Sequence, residues 1–359
     1  MDKLILLAHF PKISPKRYQQ LLAAFSNIDN AWEAEFDELT KIGWDVNLVH
    51  EFLTWKEKIN EEVMSAVLEK ENIICITIDD VDYPSLLKQI YDPPFCLFVK
   101  GKLTNSEFNL AVVGTRKCTP YGRQVTEELV SDLAAKGITI VSGLAFGIDS
   151  IAHGTAIKAR GTTIAVLGSG NNTHNIYPTA HRDLAQNIIE HNGAIITEYP
   201  PGTEPTAFSF PRRNRIIAGM SLGTLVIEAG EQSGALITSS CALENGREVF
   251  AVPQNITSHT SIGPNNLLKM GAHLVTKADD ILDALDLHNV SQYVTNKDIL
   301  PDSPTEAELL KYLSREPIHV DMITKQTGLT SSTVNSTLTL MEMKGKVRNL
   351  GGMMYVTAR

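Results

Sequence analysis

The sequence predicts an α/β fold in three parts: a doubly wound parallel sheet, a small helical domain before it and a winged-helix domain after it. Three observations predict it. From Leu110 to Val275, short runs of Val, Ile and Leu alternate with helical stretches, several closed by Gly. Apolar strands without polar alternation, separated by helices, mean a parallel sheet covered on both faces, a Rossmann-like arrangement. Residues 3 to about 70 instead carry apolar side chains at three- and four-residue spacing. Beyond a polar stretch broken by Pro301 and Pro304, the last segment reads helix, helix, turn, helix and hairpin.

The first domain, residues 1–103, reads as a helical unit of the SAM or helix-hairpin kind with short strands at its end. Tyr18, Leu21, Leu22 and Phe25 mark one helix face, and Val49, Phe52, Leu53 and Ile59 another. Lys41-Ile42-Gly43-Trp44 fits the turn of a helix hairpin. Such units can touch DNA backbone, but this segment holds 11 basic against 17 acidic residues, which favours a scaffold role. Ile73 to Ile78 is a short strand, a helix ends near Tyr91, and Pro93-Pro94 leads into a strand from Phe95 to Val99.

In the central domain, residues 104–285, Leu110–Val113 opens the strand series and a helix from Tyr121 to Ala135 follows. Strands are expected at 138–141, 163–167, 194–197, 224–227, 249–252 and 273–275. Helices are expected near 148–159, 180–190, 234–244 and 265–270, with one more after Pro211. Residues 286–304 read as a linker. In residues 305–359, helices span Glu306–Ser314 and Val320–Thr327, and Ser331-Ser332-Thr333 caps a third that runs to about Lys344. Val347–Leu350 and Met353–Val356 flank Gly351-Gly352 as a hairpin. In DNA-binding winged helices the third helix enters the major groove. Here it offers mostly Ser, Thr and Asn, with Lys344, Lys346 and Arg348 near the wing, so duplex DNA and a protein partner both stay open.

Composition narrows the function. The chain has no apolar run long enough to span a membrane and no convincing signal segment, which reads as a cytoplasmic protein. Cys75, Cys96, Cys118 and Cys241 stand singly, without CxxC or paired His spacing; they read as reduced thiols, with no metal site expected. A net charge of −9 argues against a general polyanion binder. Any nucleic-acid site must be a focused basic patch on an acidic body.

Ligands of doubly wound sheets bind beyond the carboxyl ends of the strands. The first such loop is Gly114-Thr115-Arg116-Lys117-Cys118-Thr119-Pro120-Tyr121-Gly122. Gly114 permits a tight exit from the strand, Thr115 offers a hydroxyl, and Arg116 sets a planar fork where an anion can sit. In Ser142-Gly143-Leu144-Ala145-Phe146-Gly147-Ile148-Asp149, Gly143 and Gly147 let backbone approach a ligand, and Asp149 reads as a helix cap. Gly168-Ser169-Gly170 and Gly230-Glu231-Gln232-Ser233-Gly234 are further loops. The richest stretch is Phe208-Ser-Phe-Pro-Arg-Arg-Asn-Arg-Ile-Ile-Ala-Gly-Met-Ser221. It gathers Arg212, Arg213 and Arg215 at a helix start, where free N–H groups already favour anions. Phe208 and Phe210 lie just upstream. Guanidinium forks beside flat rings suit a single nucleic-acid strand.

Several chemistries lack their residues. There is no GxGxxG with a following acid, no GxxxxGK[ST], no HExxH and no GxSxG. No cofactor and no catalytic residue is expected. Glu198, Glu228 and Glu231 are the best acids; with Arg213 or Arg215 they could form a pair that cleaves an N-glycosidic bond, against the simpler reading of charge balance.

The motifs GTRKCTPYG, SGLAFGID, EYPPGTEPTAFSFPRRNRIIAG, LVIEAGEQSGALIT, GREVFAVP and GPNNLLKMGAHLV, in this order, resemble the DNA-processing protein A (DprA/Smf) family over roughly residues 110–275. The helical start and winged-helix tail are similar to its longer members. The resemblance implies a single-stranded DNA-binding protein of natural transformation that protects incoming DNA, loads the RecA recombinase on it and acts as a homodimer without catalysis. It implies phosphate-facing roles for Gly114, Thr115, Arg116, Arg212, Arg213, Asn214 and Arg215. Gly122, Gly143 and Gly147 would allow close approach, and Tyr121, Phe146 and Phe210 would be available for base stacking. The chain departs from the family pattern at Thr115, often Ser; Phe146, often Arg; His181, often Asn; and Gln254, often Gly. Two other classes stand beside this reading. One is a nucleotide phosphoribohydrolase of the lysine-decarboxylase-like group, whose PGGxGTxxE signature is missing here. The other is a winged-helix transcription regulator.

Overall fold

The computed structural model describes residues 1–103, 108–287, 303–313, 318–343, 346–349 and 351–357. They divide into two compact units, Met1–Asp286 and Leu287–Arg359. Most of the 286–304 stretch and Lys344 lie outside the described residues.

Six short helices open the first unit: α1 (Lys3–Ala8), α2 (Pro15–Phe25), α3 (Ile28–Glu33), α4 (Phe36–Lys41), α5 (Val46–Lys58) and α6 (Glu61–Lys70). Their starts are written locally. Asp2, Ser14, Asn27, Asp45 and Asn60 each accept a backbone N–H of the first turn through a side-chain oxygen, a cap that stabilises a helix by about 1 kcal/mol. Gly43, at φ +93°, turns α4 into α5. Beside it Trp44 is buried against Phe52 at 5.4 Å, so this hairpin faces its own core.

The sheet strands are β1 (Ile73–Thr77), β2 (Cys96–Gly101), β3 (Asn109–Val113), β4 (Thr139–Ser142), β5 (Thr163–Val166), β6 (Ala194–Thr197), β7 (Gly223–Val226), β8 (Glu248–Ala251) and β9 (His273–Leu274). Between β1 and β2 lies α7 (Ser85–Lys88). After β3 come α8 (Pro120–Ala135), α9 (Ile148–Lys158), α10 (Arg182–Glu190), α11 (Ser209–Gly219), α12 (Gly234–Glu244), α13 (Ile262–Lys269) and α14 (Ala278–Ala284). The strand order is β1-β2-β6-β5-β4-β3-β7-β8-β9. All pairs from β6 to β9 are parallel, while β2 meets β6, and β1 meets β2, antiparallel.

The two strands of the amino-terminal segment thus extend the central sheet. β2 shows how. With a side-chain period of two, Leu97 and Val99 join the core of the sheet, whereas Cys96 and Phe98 face the core of the amino-terminal helices. Strands β3 to β7 are buried along their whole length, as a sheet covered on both faces requires. The order then explains the site. The chain steps outward from β3 to β6 and crosses back to place β7 beside β3, so the loops after β3 and β7 diverge and leave a crevice.

The second unit contains α15 (Pro304–Leu310), β10 (Ile318–His319), α16 (Val320–Thr327), α17 (Ser331–Met343), β11 (Val347–Asn349) and β12 (Met354–Thr357), with sheet order β10-β12-β11. Leu309, Val320, Ile323, Val334, Leu338 and Tyr355 form its core. This is the winged helix the sequence predicts. Lys346 near the wing is bound to the buried carboxylate of Glu306 at 2.6 Å.

His153 on α9 is fully buried. The Thr163 hydroxyl donates to Ile140 O at 2.7 Å, so Nδ1–H of His153 donates to that hydroxyl oxygen, also at 2.7 Å. Its Nε2 is buried without a partner. Burial above all, then the charges of His181 and Arg213, push its pKa down to about 3. The unfolded chain takes up this proton near pH 6.5 while the fold refuses it, so stability falls as pH drops below 6.5, by about 1.4 kcal/mol per pH unit. Urea unfolding of wild type and His153→Leu at pH 7, 6 and 5 is expected to show the wild type losing stability more steeply; parallel curves refute it.

Candidate nucleic-acid interface

The crevice at the carboxyl ends of the strands is a cleft of about 680 Å³. Its walls come from the loops after β3 (Gly114, Arg116), β4 (Ala145), β5 (Tyr177) and β7 (Ser233), and from α9 (Asp149), α11 (Phe210, Arg213, Asn214) and α12 (Gly234).

The β3 loop is held by its neighbours. Thr115 N–H donates to Glu228 O at 2.7 Å, and Ile148 N–H donates to Thr115 O at 3.2 Å. A Cβ on Gly114 would stand 2.5 Å from Ile148 Cγ1. At Gly147, φ is +77° and a Cβ would stand 2.3 Å from Thr115 O. The β3 and β4 loops therefore touch backbone to backbone. Thr119 caps α8, and the buried Glu228 carboxylate accepts both its N–H (2.9 Å) and its hydroxyl (2.6 Å), with Thr260 at 3.2 Å. A Cβ on Gly122 would fall 2.3 Å from Glu228 Oε2. Glu228 is thus the support beneath the Arg116 loop. Tyr121 turns away. Its hydroxyl donates to Pro253 O at 3.0 Å, and its ring lines a separate pocket with Gln254 and Asn255.

Arg213 is buried at 4% exposure. Its Nη1 donates to Gly143 O at 2.8 Å and to Val166 O, and its Nε donates to Asn214 Oδ1 at 3.1 Å. A Cβ on Gly143 would lie 2.5 Å from the guanidinium, so only glycine leaves room for it. Asn214 Nδ2 donates to Gly234 O at 3.1 Å and ties α11 to α12. Asp149 accepts N–H bonds from Gly143 (3.1 Å) and Ala145 (3.4 Å). Burial raises the Asp149 pKa against the pull of Arg213, and burial lowers that of Arg213 to about 10 against the pull of Asp149. At neutral pH Arg213 remains a fixed cation in the cleft wall.

Arg116 is the opposite case. It is exposed, has no carboxylate partner among the described residues, and stands over the Phe210 ring at 5.6 Å. Phe210 also meets Tyr177 at 5.6 Å, and Phe146 packs edge-on against His181 at 4.7 Å. Phe146, Tyr177 and Phe210 line a narrow crevice together with Arg116 and Arg213. Neither phenylalanine of the arginine stretch is core: Phe210 is half-buried and Phe208 is 88% exposed.

The structure separates the remaining arginines from this cleft. Arg215 bonds Glu198 through Nη2 and stands 3.4 Å from Asp92, while Arg212 lies 3.5 Å from the other Glu198 oxygen. Neither lines the cleft. Successive helical residues point about 100° apart, so three arginines in four positions cannot share one face. The expected single arginine cluster is a single fixed cation, Arg213, joined by Arg116 from another loop. Tyr177 is the lining residue the sequence reading missed. Aromatic Tyr177-Pro178 on the long segment between β5 and α10 was its only signal.

The guanidinium over Gly143 makes a sharp packing test. Gly143→Ala is expected to destabilise the fold by about 1–3 kcal/mol through overpacking. Gly154→Ala, inside α9 with open space around its Cβ, is expected to stabilise it by about 0.5–1 kcal/mol. Thermal melts of the two variants check the opposite signs.

With this geometry in hand, the relatives are informative. The family model for DNA recombination-mediator protein A matches residues 74–286, and that for the DprA winged helix domain matches residues 295–353. Protein Smf of Escherichia coli is 40% identical over 321 residues, covering 88% of this chain and 85% of that protein. DNA processing protein DprA of Bacillus subtilis is 43% identical over 63% of this chain and 75% of its own length. The crystal structure of DNA processing protein A from Streptococcus pneumoniae superposes with a TM-score of 0.68 at 36% identity, over 79% of this chain and 98% of that one. DNA processing protein A from Helicobacter pylori, whose structure concerns its single-stranded DNA binding mode, superposes with a TM-score of 0.53 at 30% identity, over 59% and 95%. A family match across most of the sheet unit, a relative alike over nearly the whole length and a shared fold agree: the chain belongs to the DNA recombination-mediator protein A, or DprA/Smf, family.

Proposed function

We propose that this protein binds single-stranded DNA without catalysis, protects DNA entering the cell in natural transformation, and hands it as a homodimer to the RecA recombinase. The observation that carries the binding step is Arg116, a cation without a carboxylate partner among the described residues, set beside the fixed Arg213 and the rings of Phe146, Tyr177 and Phe210. A phosphate has a fork to bind and the adjoining bases have flat walls to stack on. The single-strand binding mode of the H. pylori relative supports the same reading.

The acids support a non-catalytic role. Glu228 is taken up by Thr119 and Thr260, Glu198 by Arg215, and Asp149 by backbone N–H groups. Glu228 and Glu198 thus have structural tasks and Glu231 is exposed on the loop after β7, which weakens the reading as an N-glycosidic hydrolase. In the winged unit, the exposed positions of α17 are Ser331, Ser332, Asn335, Ser336, Thr339, Leu340 and Glu342, without a lysine or arginine among them. Duplex affinity rests on neutralising phosphates, so this helix suits a protein partner better than a major groove.

Titration of fluorescent single- and double-stranded oligonucleotides at several salt concentrations tests the assignment. Arg116→Ala is expected to weaken single-strand binding about tenfold and to lower the slope of log affinity against log salt by about 0.7. Phe210→Ala is expected to lose about 1–3 kcal/mol of stacking with the salt slope unchanged. Wild-type affinity in both variants, or a preference for duplex, sinks the proposal.

A further inference from the structure

A second groove lies against the same helix. It has a volume of about 570 Å³ and runs between the amino-terminal helices and the segment joining β6 to α11. Phe10, Met64 and Val67 form one wall, Tyr199 and Pro201 the other, and Glu198 and Arg212 its charged part. The two clefts are therefore served by consecutive arginines of α11, Arg213 into the first and Arg212 into the second. Arg212 is the loosely held one. Its side chain is 37% exposed and its Nε stands 3.5 Å from Glu198 Oε1, a buried atom that accepts no hydrogen bond. Glu198 keeps Arg215 on its other oxygen, so Arg212 can turn outward without leaving that carboxylate unpaired. Pro205, Thr206, Ala207 and Pro211 face the first cleft, and Phe208 on the same segment is exposed over 88% of its surface. Its ring makes no aromatic or cation contact among the described residues.

We propose that a bound single strand continues past Phe208 from the first cleft into this groove, with Arg212 on a phosphate and α6 as the far wall. The inference rests on the reading of the first cleft as a single-strand site. A polynucleotide is favoured over a peptide because the second groove repeats the chemistry of the first: one releasable arginine beside apolar and aromatic walls, next to an exposed ring. One stretch of chain lines both, Tyr199–Thr203 along the groove and Pro205–Ala207 along the first cleft, so a strand leaving the cleft along this stretch reaches the groove. The amino-terminal helices then form part of the DNA path.

The test uses the full chain and fluorescent oligothymidylates of about 5 and about 20 nucleotides, bracketing ordinary single-strand site sizes. Val63→Glu places a carboxylate at the mouth of the groove, at a position 59% exposed and outside the core. Val63→Glu and Arg212→Ala are expected to weaken binding of the long oligonucleotide about tenfold and to leave the short one unchanged, with wild-type melting temperature for Val63→Glu. Arg116→Ala is expected to weaken both. Wild-type binding of both lengths by Val63→Glu and Arg212→Ala, with Arg116→Ala impaired, overturns the inference and spares the first cleft. Loss of recombinase capture by Val63→Glu with DNA binding intact also overturns it, in favour of a protein occupant. A wild-type protein that binds neither length, or Arg116→Ala without effect, overturns the underlying reading instead.

Discussion

The buried guanidinium of Arg213 is the interaction on which the ligand edge depends. It joins α11 to the ends of β4 and β5 by donating to the carbonyls of Gly143, just past β4, and of Val166, the last residue of β5. Taking an arginine out of water is costly, and the cost is met only by close hydrogen bonds and by a nearby negative charge. Asp149 supplies the charge from inside the first turn of α9; it is not the helix cap the sequence suggests, since Gly147 holds that position and the carboxylate accepts the loop N–H groups of Gly143 and Ala145 instead. Removing the guanidinium would leave both buried carbonyls without this donor, at a cost of about 1–3 kcal/mol for each group left unsatisfied, while Asp149 would keep its two loop N–H bonds. Gly143 therefore has a packing reason: its missing Cβ is where the guanidinium sits.

From that anchor the roles of the surrounding residues follow. Glu228 does for the β3 loop what Arg213 does for α11, binding Thr119 and filling the space that Gly122 leaves open. Both side chains are consumed in holding loops still. Among the described residues of the cleft, Arg116 is left as the cation without a fixed carboxylate, resting over Phe210. A guanidinium parked on a ring keeps its charge available, since the contact satisfies none of its five donors. A rigid frame with one free fork is a preorganised anion site.

How much of this was legible in the sequence differs between levels. The parallel sheet was readable because Leu110–Val113, Ile138–Val141 and Thr163–Leu167 have no polar alternation, and burial on both faces leaves no other pattern. The cleft loops were readable as loops because topology puts them at strand ends. The directions of Arg212, Arg213 and Arg215 were not, because they are set by Glu198, Asp92 and Gly143, residues distant in sequence and brought together by the sheet order. Phe208 and Phe210 were unreadable for a related reason. Alternating aromatic and small residues at a helix start suit a core and a rim equally, and only the crossing from β6 to β7 decides between them. Tyr177 was missed because a long connection carries no periodicity from which its path can be inferred.

The separation of the arginines changes the physics expected of the site. A four-arginine patch would bind a strand mainly through counterion release, with a salt slope near −0.7 for each phosphate neutralised. Arg116 and Arg213 in the first cleft account for two phosphates at most. On a body of net charge −9, long-range attraction adds little. In the proposed binding mode affinity then comes largely from the walls, where a base stacked on Phe146, Tyr177 or Phe210 would contribute about 1–3 kcal/mol. In that mode Phe146 has a reason as well: a ring at this position offers a salt-insensitive contact where an arginine would offer a salt-sensitive one. A site built in this way discriminates by the availability of unstacked bases. On the proposed function it would favour a single strand over a duplex, whose bases are already stacked and whose phosphates alone would find too few cations.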